Sequence, residues 1–236
     1  MQNIYAKILQ SKSENRKLLA ILLDPDKIDW ENMAVLVFKI NASPATHIFV
    51  GGSLVFTNKL DELVIYLKQN SDLPVVLFPG NPSQISPKAD GILFLSLLSG
   101  RNPDYLIGHH IKAAPILKNT NLEIIPTGYI LIESGSETAV AKVSQTKPIS
   151  DIQTIVATAQ AGELLGNKLI YLEAGSGAKN AVSSEIIKLV SQNIDIPLIV
   201  GGGIKDQSGI QKAYDSGADL VVIGTAFEND QTFFES

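Results

Sequence analysis

Short apolar runs alternate along the chain with stretches in which apolar residues recur at helical spacing. Each apolar run has the length and composition of a strand that is buried on both faces. Helical periodicity is clearest over residues 30–40, 59–69 and 184–191. Repeated alternation of strand and helix is typical of a parallel sheet. The eight apolar runs end near Asp24, Gly51, Phe78, Leu95, Thr127, Glu173, Gly201 and Ile223.

Eight strands in a chain of 236 residues favour an α/β fold of the closed (β/α)8 TIM-barrel type over an open sheet. We predict an opening helix over residues 3–10, before the first strand. The pattern is weakest over residues 126–152, where glycine, proline and small polar residues predict a loop with a short extra strand at 129–132, or a broken helix. No linker or shift in composition divides the chain, so we expect a single barrel domain over residues 1–236.

The last two apolar runs both finish in glycines. Leu198-Ile199-Val200 is followed by Gly201-Gly202-Gly203, and the run ending at Ile223 is followed by Gly224-Thr225. Glycines let the backbone approach a ligand closely, and bare N–H groups at the start of a helix bind anions. The loops after strands seven and eight of such barrels commonly hold a substrate phosphate. We therefore predict a phosphate site here. A helix should begin after each run, with Asp206 or Ser208 as the N-cap of the first. The alternative is two ordinary turns from strand to helix.

The first two strands end in residues that suit a metal ion. Asp24-Pro25-Asp26-Lys27 supplies two carboxylates and a lysine, and Gly51-Gly52-Ser53 supplies a hydroxyl group. Mg²⁺ prefers a few carboxylate oxygens together with waters and substrate phosphate oxygens. A magnesium site is therefore one interpretation. The alternative is structural: Asp24 or Asp26 caps the helix after the first strand, and Ser53 caps the helix after the second.

The sixth strand carries the sharpest local pattern. Alternation along it places Tyr171 and Glu173 on one face, which is the barrel mouth if Leu172 packs toward the helices. A buried carboxylate is costly unless it is used or paired, so Glu173 is a candidate general base or hydroxyl-binding group. The following Gly175-Ser176-Gly177 can wrap a phosphate with backbone N–H groups and a hydroxyl. The alternative is a structural pair between Glu173 and a lysine or arginine.

Four other polar side chains are not expected to carry the chemistry. His47 begins the second strand, away from the mouth, and has a structural role in this interpretation. His109 and His110 fall in a helix predicted to begin near residue 102, where they should face the outer layer or solvent. Arg101 lies nearer the mouth, but a surface role is favoured over contact with a phosphate.

Composition removes several classes of function. The net charge of −5 argues against a nucleic-acid partner. There is no cysteine, which excludes disulfides and thiol catalysis, and a zinc site is improbable with three histidines. The absence of cysteine is consistent with a reducing compartment, so we expect a cytoplasmic protein. No apolar stretch is long enough to span a membrane, and the N-terminus does not resemble a signal peptide.

Taken together, these motifs resemble the geranylgeranylglyceryl phosphate synthase family, also called phosphoglycerol geranylgeranyltransferase, from about Lys17 to Phe227. The resemblance implies a modified (β/α)8 barrel that joins sn-glycerol 1-phosphate to a prenyl diphosphate, giving an ether-lipid precursor. It also implies that Mg²⁺ is required and that the prenyl tail lies in an apolar groove across the barrel. Bacterial relatives include heptaprenylglyceryl phosphate synthases, which use a longer tail.

Carried over by position, the resemblance assigns a role to each motif. Asp24 would bind Mg²⁺ with Ser53 as a second contact, and Asp26 would help through a water. Tyr171 and Glu173 would contact the glycerol hydroxyls, with Glu173 a candidate base. Ala174-Gly175-Ser176-Gly177 is similar to one branch of the family, whereas other members have a bulkier residue after the glutamate. Glycerol phosphate would be held by Tyr171, Leu172, Glu173, Ala174, Gly175, Ser176, Gly177, Gly202, Gly203, Gly224 and Thr225.

The resemblance further implies a homo-oligomer and transient contact with a membrane surface. An isomerase or lyase acting on a phosphorylated sugar or heterocycle is the alternative function on this scaffold. The absence of an evident inward-facing strand lysine argues against Schiff-base chemistry. A phosphate-binding protein without catalysis is a third interpretation, and the presence of both Asp24 and Glu173 argues against it.

Overall fold

The chain folds into a closed barrel of eight parallel strands, as the sequence predicts. The computed structural model describes residues 3–53, 55, 59–229, 233 and 234. Neighbouring strands pair in sequence order, and β8 closes the barrel on β1. The strands are β1 Leu18–Leu23, β2 His47–Val50, β3 Val75–Leu77, β4 Gly91–Leu97, β5 Glu123–Leu131, β6 Leu169–Glu173, β7 Leu198–Gly201 and β8 Leu220–Ile223.

Helices follow every strand except β3, whose connection to β4 is described throughout and contains no helix, and they form the outer layer. A 3₁₀ turn at Trp30–Asn32 precedes α2, and a π-helical turn at Asp104–Gly108 leads into α4. Asp206 is the N-cap of α8, because its carboxylate accepts a 2.7 Å hydrogen bond from Gly209 N. The helices are α1 Ile4–Ser13, α2 Met33–Ala42, α3 Leu60–Asn70, α4 His109–Leu117, α5 Ala139–Ser144, α6 Ile152–Leu164, α7 Ser184–Ser191, α8 Gln207–Asp215 and α9 Thr225–Asn229.

Alternation along the strands divides the core into two layers. On β6, Ile170 and Leu172 belong to the layer between strands and helices, whereas Leu169 and Tyr171 belong to the interior of the barrel. All four side chains are buried. Because both faces of each strand are buried, the strands appear in the sequence as continuous apolar runs. It also fixes the direction of Glu173, which follows Tyr171 by two positions and shares its face.

Helix α1 covers the end of the barrel where the strands begin. Ile4 and Ile8 pack into the interior cluster. The Glu123 carboxylate accepts hydrogen bonds from Ile4 N at 2.5 Å and from Tyr5 N at 2.9 Å, which satisfies N–H groups of the first helical turn. At the same end, Asp219 accepts from Leu198 N at 2.9 Å and from the Lys12 ammonium at 2.9 Å, joining α1 to the starts of β7 and β8.

The fourth strand ends within two residues of the predicted Leu95, but the predicted end of the fifth strand, near Thr127, is wrong. β4 runs to Leu97 and β5 runs to Leu131, so the short strand expected at 129–132 is the continuation of β5. Gly128 suggests a turn, but it allows close packing within β5: a Cβ there would lie 2.6 Å from Leu98 Cδ1. The rest of the region contains α5, which agrees with the broken-helix alternative. The longer β5 pairs Leu131 with Glu173, close to the mouth.

Among the described residues, none of the helices has the length and apolar character needed to cross a bilayer.

Candidate active site

A cavity of about 660 Å³ lies at the carboxyl ends of the strands and forms the barrel mouth. Most of the site residues predicted from the sequence line it, although they come from five separate loops and strand ends. The predicted residues in the lining are Asp24, Ser53, Tyr171, Glu173, Gly175, Ser176, Gly177, Gly202, Gly203, Gly224 and Thr225.

Glu173 is a buried carboxylate that reaches this cavity, with 6% of the residue exposed. Its Oε1 accepts a 2.6 Å hydrogen bond from Gly175 N. Burial raises the pKa of Glu173 to about 6, while the hydrogen bonds from Gly175, Tyr171 and Tyr129 oppose that rise. Its partners are therefore neutral donors, and the expected alternative of a structural pair with lysine or arginine is wrong. A carboxylate of this kind can accept a proton near neutral pH.

Tyr129 is a site residue that the sequence analysis missed. It lies opposite Tyr171 in the pairing of β5 with β6, and both side chains are buried at the mouth. Burial and the neighbouring Glu173 raise the pKa of both phenols well above the usual value, so both remain protonated donors. Gly201 makes room for one of them, because a Cβ there would lie 2.2 Å from the Tyr171 hydroxyl. Continuing the alternation of β5 through Gly128 could have identified Tyr129.

The loops after β6, β7 and β8 meet at one side of the mouth. Gly202 has φ +81°, and a Cβ there would lie 2.3 Å from Glu173 Oε1, so only glycine fits this position. Ser176 Oγ lies 3.2 Å from Thr225 Oγ1 and links the first loop to the third. Lys205 Nζ donates a 3.1 Å hydrogen bond to Lys179 O and links the first loop to the second. Both lysines line the cavity, and the sequence analysis missed them.

Asp24 follows β1, the strand that pairs with β8, and it also lines the mouth. Its Oδ1 accepts a 3.1 Å hydrogen bond from Asp26 N, and its Oδ2 lies 3.5 Å from the Lys27 ammonium. The carboxylate faces Gly52, where a Cβ would lie 3.4 Å from Asp24 Oδ2. The expected turn is thus present, and Asp24 also faces the cavity, but the expectation that Asp24 or Asp26 caps the next helix is wrong, because Asp29 is the N-cap of the helical turn that follows. Asp26 is exposed and does not line it.

The donor set at Asp24 fits a magnesium ion that is shared with a substrate. Within the described part of the chain, histidine, cysteine, aspartate and glutamate form no group of three or more suited to hold a metal. Mg²⁺ often uses only one or two protein carboxylates and completes its shell with waters and phosphate oxygens. Asp24 and the Ser53 hydroxyl, both at the cavity, provide that kind of partial site.

Four further residues considered in the sequence analysis do not line the mouth, and only two of them were predicted to bind substrate. The side chains of Leu172 and Ala174 pack in the layer between barrel and helices and do not line the mouth. His47 is buried, with Nδ1 2.8 Å from Thr46 Oγ1, and burial lowers its pKa to about 4. Arg101 donates to the carbonyl oxygens of Leu98 and Gly100, in agreement with a surface role.

A second, apolar cavity of about 100 Å³ lies beside the mouth, between the loop after β3 and the helical segment 104–117. His109 and His110 line it, so the expectation that they face the outer layer or solvent is wrong. The helix packs against β4 and turns these side chains inward: His110 Nε2 lies 2.7 Å from Leu95 O. We call this cavity the apolar groove. It shares with the mouth Gly52, Ser53, Phe78, Tyr129 and Val140.

These features define a TIM-barrel enzyme whose mouth combines a buried carboxylate with glycine loops of the anion-binding kind. The chain belongs to the PcrB family, whose model matches residues 11–235. The geranylgeranylglyceryl phosphate synthase of Flavobacterium johnsoniae is 66% identical over 100% of this chain and 98% of its own length. The enzyme of that name from Pyrococcus horikoshii is 41% identical, with 98% of this chain and 91% of the relative covered.

Solved structures agree with this family. The crystal structure of (S)-3-O-geranylgeranylglyceryl phosphate synthase from Thermoplasma acidophilum, in complex with sn-glycerol-1-phosphate, has a TM-score of 0.93 and 34% identity, covering 100% of this chain and 95% of its own. The tryptophan synthase α-subunit of Pyrococcus furiosus has a TM-score of 0.60 at 12% identity over 90% of this chain and 88% of its own, and shares the fold alone. These comparisons confirm the family resemblance and the barrel. They also confirm the enzyme class, which is a prenyltransferase that forms a prenylglyceryl phosphate.

Proposed function

We propose that this chain, as one barrel domain over residues 1–236, transfers a geranylgeranyl or related prenyl group from its diphosphate to sn-glycerol 1-phosphate, with Mg²⁺ as cofactor. The observation that carries the proposal is the position of Glu173. Its buried carboxylate reaches the mouth, which carries the glycine loops and shares five lining residues with the apolar groove. A transferase that joins a polar acceptor to an apolar donor needs a proton acceptor at such a boundary.

The loops after β6, β7 and β8 would hold the phosphate of glycerol phosphate. Backbone N–H groups at Gly202, Gly203 and Gly224 offer neutral donors, and Ser176 and Thr225 offer hydroxyls. The exposed ammonium groups of Lys179 and Lys205 bring positive charge to the same rim. The sn-glycerol-1-phosphate complex of the Thermoplasma acidophilum relative supports this substrate for the present chain.

Glu173 would act on the acceptor hydroxyl. A carboxylate with a pKa of about 6 is largely ionised at neutral pH and can take the hydroxyl proton as the oxygen attacks the allylic carbon. The new C–O bond forms while the bond from that carbon to the diphosphate breaks, and the diphosphate leaves with the electron pair. Tyr171 and Tyr129 would orient the carboxylate, since their buried phenols hydrogen-bond to it.

Asp24 and Ser53, which follow β1 and β2, would hold Mg²⁺ at the mouth, and Lys27 adds a positive charge there. When bound, the ion supplies positive charge for the departing diphosphate. This leaves the apolar groove for the prenyl tail. Tyr105, His109 and Val143 are among the side chains that would exclude water from it.

A coupling assay read by mass spectrometry tests the proposal. The protein is given sn-glycerol 1-phosphate or its 3-phosphate enantiomer, with prenyl diphosphates of several lengths, in Mg²⁺ or in a chelator. We expect a prenyl ether from the 1-phosphate only, and only with Mg²⁺. Asp24→Asn should abolish this turnover, whereas the exposed neighbour Asp26→Asn should retain most of it. Full turnover in the chelator or in Asp24→Asn would contradict the metal assignment.

A homo-oligomer and a cytoplasmic location are further predictions. Light scattering on the purified protein measures the first, and fractionation of the source cells measures the second.

A further inference from the structure

The helical segment 104–117 separates the apolar groove from solvent and exposes large apolar side chains on its outer surface. Ile107 is 55% exposed and Ile111 is 66% exposed. Residues four apart lie on the same side of a helix, so the two isoleucines are neighbours there. Single exposed apolar residues are common on protein surfaces, but an adjacent pair on the wall of an apolar cavity is more specific. We call this pair and its surroundings the α4 outer face.

Positive charge is concentrated in this stretch of the sequence, although the chain as a whole carries a net charge of −5. Arg101 precedes the segment, and Lys112 and Lys118 follow the isoleucines, all three exposed. Asp104 is the one carboxylate between residues 101 and 118. Apolar side chains flanked by lysine and arginine are the composition of helices that lie in the surface of a bilayer with anionic lipids.

The same helix connects this surface to the site. On the inner side of this helix, the side chains of Tyr105, His109 and Ala113 line the apolar groove. A long-chain prenyl diphosphate is an amphiphile whose tail partitions into membranes, so a tail that enters the groove must leave a bilayer first. The start of the segment is a π-helical turn, a geometry that is rare and occurs frequently at functional sites.

We propose that the α4 outer face docks on an anionic bilayer surface and places the apolar groove next to the lipid that carries its substrate. The proposal rests on the proposed function for the identity of that substrate. A second copy of the chain is a poorer partner for this face, because a two-fold symmetric contact would bring the same lysines and arginine together. An anionic headgroup layer instead provides the complementary charge.

Flotation of the full chain with vesicles tests the docking surface. Vesicles of phosphatidylcholine alone are compared with vesicles containing phosphatidylglycerol, without either substrate. We expect binding to the anionic vesicles, reduced about tenfold or more in the double variant Ile107→Ser/Ile111→Ser, because two apolar side chains no longer enter the interface. The matched control is Leu164→Ser/Leu165→Ser, whose leucines are 88% and 76% exposed at the end of α6, outside the groove. This control should bind like the wild type.

Charge and oligomeric state complete the test. Lys112→Gln/Lys118→Gln should weaken binding to the anionic vesicles only, and added salt should have the same effect. Turnover with a short, water-soluble prenyl diphosphate should be unchanged in every variant, which separates docking from the proposed chemistry. Equal vesicle binding by the isoleucine variant and the wild type would overturn the proposal. So would a smaller oligomer in the isoleucine variant with vesicle binding intact, because the face would then be covered by another copy.

Discussion

Glu173 sets the pH dependence expected of the enzyme. Its pKa of about 6 means that it loses basicity as pH falls through 6, whereas an ordinary glutamate would do so near 4.5. We expect kcat/KM to fall on the acid side with a midpoint near 6. Glu173→Gln should lower turnover at least about 100-fold and remove this acid limb. The exposed Glu185→Gln on α7 is the control, and an unchanged acid limb in Glu173→Gln would remove Glu173 as the base.

The same group links pH to stability. A raised pKa means that the folded state binds this proton more tightly than the unfolded state does. The resulting contribution of Glu173 to the free energy of unfolding is complete below about pH 4.5 and is lost as pH rises through about 6. A difference of about 1.5 pKa units corresponds to about 2 kcal/mol. Relative to Glu173→Gln, the wild type should therefore lose about this much unfolding free energy between pH 4 and pH 7. Denaturant titrations of both proteins at the two pH values measure it.

Gly202 is a position where a single methyl group should impair catalysis. In Gly202→Ala the new Cβ would overlap Glu173 Oε1, and the backbone would be strained at φ +81°. Gly166→Ala is a matched control, because Gly166 has φ +88° and open space around it. Both variants should lose about 1–2 kcal/mol of stability from the strained backbone, and Gly202→Ala should lose more, because its Cβ would also lie 2.5 Å from Gly175 N. Only Gly202→Ala should also lose at least about tenfold in kcat, and equal kinetics of the two would show that the carboxylate position does not matter.

At the level of elements, the barrel depends on an anchor far from the mouth. The buried Asp219 carboxylate accepts from Leu198 N and pairs with Lys12, so Asp219→Ala leaves a buried N–H and a partly buried ammonium without their partner. We expect a loss of about 2–4 kcal/mol of unfolding free energy. Chemical denaturation measures this loss. The KM values of folded Asp219→Ala should stay at wild-type levels, and a change in KM would show that this end of the barrel communicates with the mouth.

Local sequence patterns predicted the elements whose signals are local. The eight strand positions and the glycine loops after β6, β7 and β8 follow from apolar runs and from motifs of a few residues. The length of β5 does not, because Gly128 is required by its contact with Leu98, the residue after β4, and only resembles a turn signal. The position of His109 in the apolar groove was missed for the same reason. The direction in which its side chain points depends on how its helix packs against β4, and that is a contact between different elements of the chain.

At the level of the whole molecule, the groove should determine which tails are accepted. Val143 on α5 lines the groove and is half-buried, so a larger side chain there can fill space without opening the core. Val143→Phe should shift the preference toward shorter prenyl diphosphates, with the ratio of kcat/KM for long over short tails falling about tenfold. Val35→Phe, on the exposed side of α2, is the control. An unchanged ratio in Val143→Phe would place the tail elsewhere.

The residues shared by the mouth and the groove have a consequence for inhibitor design. Gly52, Ser53, Phe78, Tyr129 and Val140 border both cavities, so a head bound in one and a tail bound in the other are separated by only a few bonds. A single compound with an anionic head, a short spacer and an alkyl chain can therefore occupy both at once. Tethering converts the second binding event into an intramolecular one, so two weak fragments should combine into a ligand far tighter than either.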